Sequence, residues 1–197
     1  MTLLKKSALK NQTRLFTVAS SQGGYFTAKQ AENAGFIRTN HAYHVRVGNW
    51  ERQHPGIFRL AYYPFPSRSD LILWSLWSRD HNDVPRGIYS HQSALSIYDL
   101  SNLMPSKLHM TVPWKFRKGS KIPPVLRLHF SDLQPSEIEE RDGYQVTRPM
   151  KTILDLIEAK EISNGQVSQA LHEARTRGLV TEKEIQKNHI QLAPFLF

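Results

Sequence analysis

Five polar side chains that can read the edges of DNA bases fall within one short stretch of this sequence. They are Arg38, Thr39, Asn40, His41 and His44. An arginine can pair with guanine through two hydrogen bonds, and an asparagine can do the same with adenine. Protonation of the two histidines would add positive charge below about pH 6.5. These residue types predict contacts to bases, with an affinity for DNA that depends on pH.

Four cationic side chains near that stretch are suited to phosphate rather than to bases. They are Lys29, Arg46, Arg52 and Arg59. Residues 1–66 hold nine Lys and Arg against two Glu, a net +7, whereas residues 67–197 hold 17 Lys and Arg against 15 Asp and Glu, a net +2. Because the neutralisation of phosphates supplies most sequence-independent affinity, this local excess predicts that the first third of the chain binds double-stranded DNA.

The elements that must hold these side chains are two short helices joined by a glycine turn. Thr27 and Gln30 have the spacing of a capping box, and Gly35 is typical of a helix end. A second helix is predicted from about Thr39 to Val47. Two short helices with such a turn between them indicate a helix-turn-helix.

The segments on either side complete a winged helix-turn-helix. A hairpin is predicted over Trp50–His54 and Ile57–Leu60, joined by a Pro-Gly turn, and Tyr25–Phe26 is expected to pair with it as a short strand. A first helix is predicted from about Ser7 to Ser20. We expect the following apolar helix residues to face the core: Leu9, Phe16, Val18, Ala42 and Val45.

A second module is predicted beyond a boundary with two prolines at residues 62–67. Helices are expected over 67–80, 90–98, 149–157, 167–177 and from 181 onward, and strands over 108–112, 125–130 and 144–147. Glu137–Asp142 is interpreted as an acidic turn. We therefore predict an α+β protein with a winged helix-turn-helix domain over residues 1–64 and a mixed α/β domain over residues 67–197, in which helices cover a small sheet.

The second module carries a basic patch of its own. Its members are Lys107, Lys115, Arg117, Lys118, Lys121 and Arg127, and no acidic residue interrupts them. Trp114 and Phe116 interleave with these charges, as aromatic residues do in surfaces that stack on bases. The patch is either a solvated loop or a second surface for nucleic acid or a partner.

The composition excludes several kinds of protein and site. Cysteine is absent, so there is no disulfide framework and no thiolate zinc site. No apolar run is long enough to cross a bilayer, and the N-terminus lacks the apolar segment of a signal peptide. We expect a cytoplasmic protein with no membrane partner and no cofactor.

Two groupings resemble metal sites but have simpler interpretations. His41 and His44 form an HxxH pair, yet nothing nearby supplies obvious further ligands. Asp155, Glu158 and Lys160 resemble the metal-binding residues of restriction-type nucleases, but here the pattern is helical rather than that of a strand. We therefore predict no metal site and no enzymatic activity, with a metal-dependent nuclease as the alternative.

Two further histidine groupings are expected to be structural. Ser90 and His91 are adjacent in sequence, which does not by itself build a catalytic pair, and Ser90 is more simply a helix cap. His109 and His129 lie on predicted strands. We expect them to have structural roles.

Four segments together resemble a known family. They are GIFRL at the wing, YSHQSALSIYDLSNLMPSKLHMTVP over 89–113, VTRPMKTILDLIEA over 146–159 and QVSQALHEARTRGLV over 166–180. The chain is similar to the antitoxins of the AbiE-type, type IV toxin–antitoxin and phage-defence systems of bacteria. The resemblance implies an N-terminal winged helix that represses its own operon by binding repeats in the promoter. It also implies a C-terminal domain that neutralises a nucleotidyltransferase-like toxin without a stable complex.

Two other functions fit the same sequence. One is a winged-helix regulator without a toxin partner. The other is a regulator that binds a small ligand through its second domain, although no residues mark a pocket. A binding assay on the promoter, with and without the product of the neighbouring gene, would separate these classes.

Overall fold

The computed structural model describes residues 3–196, and the side chains of residues 7–196. The ends of the two predicted domains, residues 1–2 and 197, therefore lie outside the described residues. The chain divides into two compact units, one of residues up to Arg86 together with Arg141–Tyr144, the other of Gly87–Glu140 and the residues from Gln145 onward. The sequence placed the boundary near residues 64–67.

The boundary differs because the helix after the prolines belongs with the first unit. This helix, α4 (Ser69–Trp77), is predominantly apolar, and Leu71 and Ile72 are buried. It packs against strands β1 (Tyr25–Thr27) and β3 (Ile57–Leu60). The sheet of the winged helix thus buries apolar side chains of α4.

The remaining elements of the first unit match the predicted winged helix-turn-helix. They are α1 (Leu3–Ser20), α2 (Ala28–Asn33), a 3₁₀ turn (Arg38–Asn40), α3 (His41–Arg46) and β2 (Trp50–His54). The three strands form an antiparallel sheet in the order β1-β3-β2. The predicted pairing of Tyr25–Phe26 with the wing is present, with Phe26 opposite Phe58.

The core of this unit consists of aromatic rings that pack against one another and against small residues. Trp50 and Phe26 meet edge to face at 5.0 Å, and Ala31 and Ala34 of the helix-turn-helix are buried beside them. The predicted apolar stripe of α1 is wrong, because Leu9 and Phe16 are 58% and 56% exposed. Leu15 and Ala19, which are four residues apart, form the buried face instead.

The second unit is a five-stranded mixed sheet covered by helices. Its strands are β4 (Ile88–Tyr89), β5 (Leu108–Val112), β6 (Leu126–Phe130), β7 (Ile138–Arg141) and β8 (Tyr144–Thr147), in the order β6-β5-β4-β8-β7. Its helices are α5 (His91–Ile97), α6 (Pro149–Ala159), α7 (Asn164–Thr176), α8 (Glu182–Lys187) and α9 (His189–Leu192). This arrangement confirms the predicted α+β class.

Two strands of the second sheet differ from the prediction. β4 is two residues long and carries no alternating pattern, so no periodicity could indicate it. Residues 138–141 form β7 rather than an acidic turn, because the turn is confined to the Asp-Gly pair that follows. Ser90 stands at the start of α5 but makes no capping hydrogen bond with its side chain.

Candidate nucleic-acid interface

The recognition segment, which consists of the 3₁₀ turn Arg38–Asn40 and α3, follows a capped helix and a glycine turn. The Thr27 hydroxyl accepts from the backbone N–H of Gln30, and the Gln30 side chain accepts from the Thr27 N–H, as predicted for a capping box. Gly35 follows with φ +102°, a conformation that side chains disfavour. The chain then enters the 3₁₀ turn and α3, and α3 packs against β2.

The start of the recognition segment is open to solvent. Arg38, Thr39 and Asn40 are all exposed, and the Arg38 side chain is 79% accessible. Its nearest charged partner is Glu32, at 3.5 Å between guanidinium and carboxylate. Such an exposed ion pair is weak, so Arg38 can exchange Glu32 for a base or a phosphate.

His41 is not a base-contacting residue, and this part of the prediction is wrong. It is 5% exposed, and its ring packs edge to face against Trp50 at 5.3 Å and Phe58 at 5.8 Å. Its Nε2 lies 3.3 Å from the Phe36 carbonyl oxygen. His41 takes the inward position that the sequence assigned to Ala42, and Ala42 is exposed.

His44 is half-buried and has one face covered. Its ring stacks on Trp50 at 4.5 Å with 21° between the planes. Burial lowers the pKa of His44 below its usual value, and the nearby His41 lowers it further by a smaller amount. His44 is therefore only partly accessible, and its lowered pKa favours the uncharged ring at neutral pH.

Two further exposed side chains lie near the predicted base-contacting residues. Ile37 is 68% exposed and immediately precedes Arg38. Tyr43 is 51% exposed, and the Arg46 guanidinium lies 5.7 Å from the centre of its ring. An exposed apolar side chain at the start of a recognition helix is suited to a thymine methyl group.

The two arginines of the wing have opposite environments. Arg52 is exposed on β2. Arg59 is 1% exposed, and its prediction as a phosphate contact is wrong. The Arg59 guanidinium donates to Glu51 at 3.1 and 3.2 Å and to the Tyr63 carbonyl, and it lies 3.6 Å from the centre of the Phe65 ring.

Lys29 is exposed but already engaged. Its ammonium group donates to the backbone carbonyl of His81 at 2.8 Å. An ammonium has three donors, so this bond leaves Lys29 able to reach a phosphate as well. Of the four predicted phosphate contacts, Lys29, Arg46 and Arg52 are thus exposed, and Arg59 is not.

The basic patch of the second unit is only partly available. Arg127 is paired with Glu161 at 2.6 Å, and the Arg117 guanidinium donates to the carbonyls of Trp114 and Phe116. Lys107, Lys115 and Lys121 are exposed, and Lys118 is half-buried. Trp114 is 63% exposed, but Phe116 is 9% exposed and does not form the predicted stacking surface.

The residues of the nuclease alternative lie on a helix, as their periodicity predicts. Asp155 and Glu158 are on α6, and Lys160 ends that helix in a left-handed conformation. Asp155 is buried and paired with Lys151 one turn earlier. Among the residues that the structure describes, no helix has both the length and the apolar character needed to span a membrane.

Comparison with known proteins locates the similarity in the winged helix. Residues 14–61 match the family model described as "Transcriptional regulator, AbiEi antitoxin". The second unit and the rest of the chain lie outside that match. No curated protein matches this chain.

One solved structure shares the fold across most of the chain. It is the crystal structure of the RV2827C protein from Mycobacterium tuberculosis, with a TM-score of 0.51 and 11% sequence identity. The similarity covers 94% of this chain and 77% of that one. The matched family model, together with the helix-turn-helix and wing that it spans, confirms that the chain resembles the AbiEi-type antitoxin regulators over residues 14–61.

Proposed function

We propose that this protein is a DNA-binding transcriptional regulator that acts through its winged helix. The observation that carries the proposal is the coincidence of the family match over residues 14–61 with a recognition segment whose first residues are exposed. Residues at the N-terminal end of a recognition helix are those that reach base edges. Arg38, Thr39 and Asn40 are the proposed base contacts, with His44 at their edge.

Phosphate contacts are assigned to the exposed cations of the same unit. They are Lys29, Arg46 and Arg52. Arg52 lies on β2, the strand against which α3 packs, so the wing and the recognition helix are held as one body. Charge of this kind contributes to binding of any duplex and makes the affinity depend on salt.

Binding of full-length protein to DNA from upstream of its own gene tests the proposal. The affinity for this fragment is compared with that for a scrambled duplex by fluorescence anisotropy over a series of salt concentrations. Arg38→Ala is expected to cost about 1–3 kcal/mol on the cognate fragment and less on the scrambled one. Arg52→Ala is expected to weaken both alike and to reduce the salt slope by about one.

Arg175→Ala serves as the matched control. Arg175 is an exposed arginine of the second unit, paired with Glu182 on the surface, and it belongs to neither basic group. Its substitution should leave both affinities and the salt slope unchanged. Equal affinity of wild type for both duplexes would reject a specific regulator, and exchanged effects of Arg38 and Arg52 would invert the assigned roles.

The description of the matched family supports a more specific function. We propose that the protein represses its own operon through promoter repeats and that the second unit acts as the antitoxin domain. Its functional partner would be a nucleotidyltransferase-like toxin, neutralised without a stable complex. Co-expression with the neighbouring gene product tests this: growth should be restored by wild type and also by Arg38→Ala, because the antitoxin action is assigned to the other domain.

The alternatives give different results in the same experiments. A regulator without a toxin partner would bind the cognate fragment but leave growth unaffected. A nuclease would cleave DNA in the presence of Mg²⁺ and lose this activity in Glu158→Ala.

A further inference from the structure

Two buried histidines, a half-buried histidine and a glutamate come together on one face of the second unit. His91 and His109 are 7% and 4% exposed, and the Glu161 side chain is 12% exposed. The rings of His91 and His129 stack with centroids 3.6 Å apart, and His129 Nε2 lies 3.1 Å from His109 Nδ1. None of these residues takes part in the proposed DNA contacts.

The sheet register explains why the histidines meet. β5 and β6 are parallel neighbours, with His109 opposite Arg127 and Thr111 opposite His129. Side chains two residues apart on a strand share a face, so all four lie on one side of the sheet. His109 and His129 are diagonal neighbours there, and such pairs are within reach of long or aromatic side chains.

Glu161 places a carboxylate beside the two rings. It follows the left-handed residue Lys160, which ends α6 and turns the chain. Its Oε1 accepts from the Arg127 guanidinium at 2.6 Å. Its Oε2 is buried, has no hydrogen-bond partner among the described residues, and lies 3.5 Å from His109 Nδ1. A buried carboxylate oxygen without a partner is costly, which indicates a missing ligand.

The spacing of these atoms suits a small cation. The ligand atoms of His109, His129 and Glu161 all lie within 4.8 Å of one another. Nitrogen and oxygen ligands at about 2.0–2.2 Å from a tetrahedral zinc ion are about 3.3–3.5 Å apart. The distances of 3.1 Å between the two imidazole nitrogens and 3.5 Å from nitrogen to carboxylate oxygen bracket this value.

We propose that His109, His129 and Glu161 form a binding site for a divalent transition metal of the zinc class. His109 Nδ1, His129 Nε2 and Glu161 Oε2 are the ligands, and a water molecule would complete the coordination. Imidazole and carboxylate ligands in this number are typical of zinc sites that keep an open position. This proposal departs from the sequence-based expectation of no metal site and of structural roles for His109 and His129.

Neighbouring residues supply the support that such ligands require. Arg127 holds the Glu161 carboxylate through the oxygen that is not assigned to the metal. His91 covers one face of the His129 ring, and its own Nδ1 lies 2.9 Å from the hydroxyl oxygen of Ser90. Interactions of this kind orient ligands, and their removal typically weakens metal binding about 10–100-fold.

Metal titration of full-length protein without an affinity tag tests the site. Protein stripped with a chelator is titrated with Zn²⁺ by calorimetry and with Co²⁺ by absorption spectroscopy. We expect one ion per chain and the ligand-field bands of four-coordinate Co²⁺. Glu161→Gln and His129→Gln should each weaken binding at least tenfold, and the double variant should lose it.

The matched control is His172→Gln, which changes an exposed histidine of α7. It should bind Zn²⁺ as the wild type does. Imidazole nitrogen resonances of wild-type protein give a readout that needs no variant, because the shifts of His109 and His129 should change on addition of one equivalent of Zn²⁺. Absence of saturable binding, or binding that persists in the double variant, would leave a hydrogen-bonded histidine pair and overturn the proposal.

Discussion

At the scale of single residues, burial separates arginines that the sequence cannot distinguish. Both lie on the wing and both are cationic, with Arg52 three residues before Pro55 and Arg59 three residues after Gly56. The register places Glu51 opposite Arg59, and the chain after the wing returns Tyr63 and Phe65 to its guanidinium. These partners come from outside the hairpin as well as within it, so no local pattern could indicate them.

Arg59→Ala is expected to destabilise the protein rather than to weaken DNA binding directly. The substitution removes the buried guanidinium that pairs with Glu51, whose side chain is 42% exposed, and it leaves the Tyr63 carbonyl without its donor. The free energy of unfolding should fall by about 2–4 kcal/mol. Chemical denaturation measures this, with Arg52→Ala as the control, for which a change below about 0.5 kcal/mol is expected.

Arg59→Ala protein that remains folded also tests whether Arg59 contacts DNA. The salt slope of DNA binding should remain that of the wild type, because Arg59 neutralises no phosphate. A slope reduced as much as in Arg52→Ala would show that Arg59 reaches the duplex after all.

His44 makes the expected pH dependence of DNA binding weaker than the sequence indicated. Burial lowers the pKa of His44 below the ordinary value of a histidine, which is about 6.5. The His44 ring therefore does not gain its charge when the pH falls from 8 to 6.5. Between pH 6.5 and 8, the affinity of wild type and of His44→Gln for the cognate fragment should therefore change in parallel. An affinity that rises on acidification in wild type but not in His44→Gln would contradict this.

At the scale of elements, the local sequence predicted what local chemistry decides. The capping box, the Pro-Gly turn and the strands of the wing were all readable because each depends on neighbours in sequence. The inward face of α3 could not be predicted in this way, because α3 is only six residues long and is preceded by a 3₁₀ turn. Over so short a helix, the choice between His41 and Ala42 is made by Trp50 and Phe58.

The turn of the helix-turn-helix should tolerate a side chain poorly at Gly35. A Cβ there would lie 2.6 Å from the Asn11 side chain, whose Nδ2 donates to the Gly35 carbonyl. Gly35→Ala combines backbone strain of about 1–2 kcal/mol with the loss of that hydrogen bond, worth about 1 kcal/mol. Thermal or chemical denaturation should show a loss of about 2–3 kcal/mol.

Gly48→Ala is the control for this prediction. Gly48 also has a positive φ, +76°, but no atom lies within 4 Å of the added Cβ. It should cost only the backbone strain, about 1–2 kcal/mol. Equal losses at both glycines would show that the Asn11 contact contributes nothing.

At the scale of the whole molecule, contacts between residues distant in sequence determine features that local sequence patterns could not predict. The strands β5 and β6 were predicted individually, but their parallel register was not, and it is this register that brings His109 and His129 together. A polar residue at every second position of both strands was the available signal. The boundary at residues 64–67 likewise rested on prolines, whereas the apolar face of α4 determined where the first unit ends.

The excess positive charge of the first unit should dominate binding to DNA. We expect the triple variant Lys115→Ala, Arg117→Ala and Lys118→Ala to keep the affinity for the cognate fragment within about twofold and to leave the salt slope unchanged. Arg117 holds carbonyls of its own loop, and Phe116 is buried. A slope reduced by two or more in the anisotropy titration would establish the patch as a second DNA surface.

The first unit is assembled from two distant stretches of the chain, and this has a consequence for synthesis on the ribosome. Gly143 belongs with that unit, and a Cβ at this residue would lie 3.1 Å from the side chain of Ile72. Ile72 is translated long before Gly143, so the contact between these two residues can form only after the turn between β7 and β8 has been synthesised. The first unit is therefore complete only once residues 141–144 have been translated.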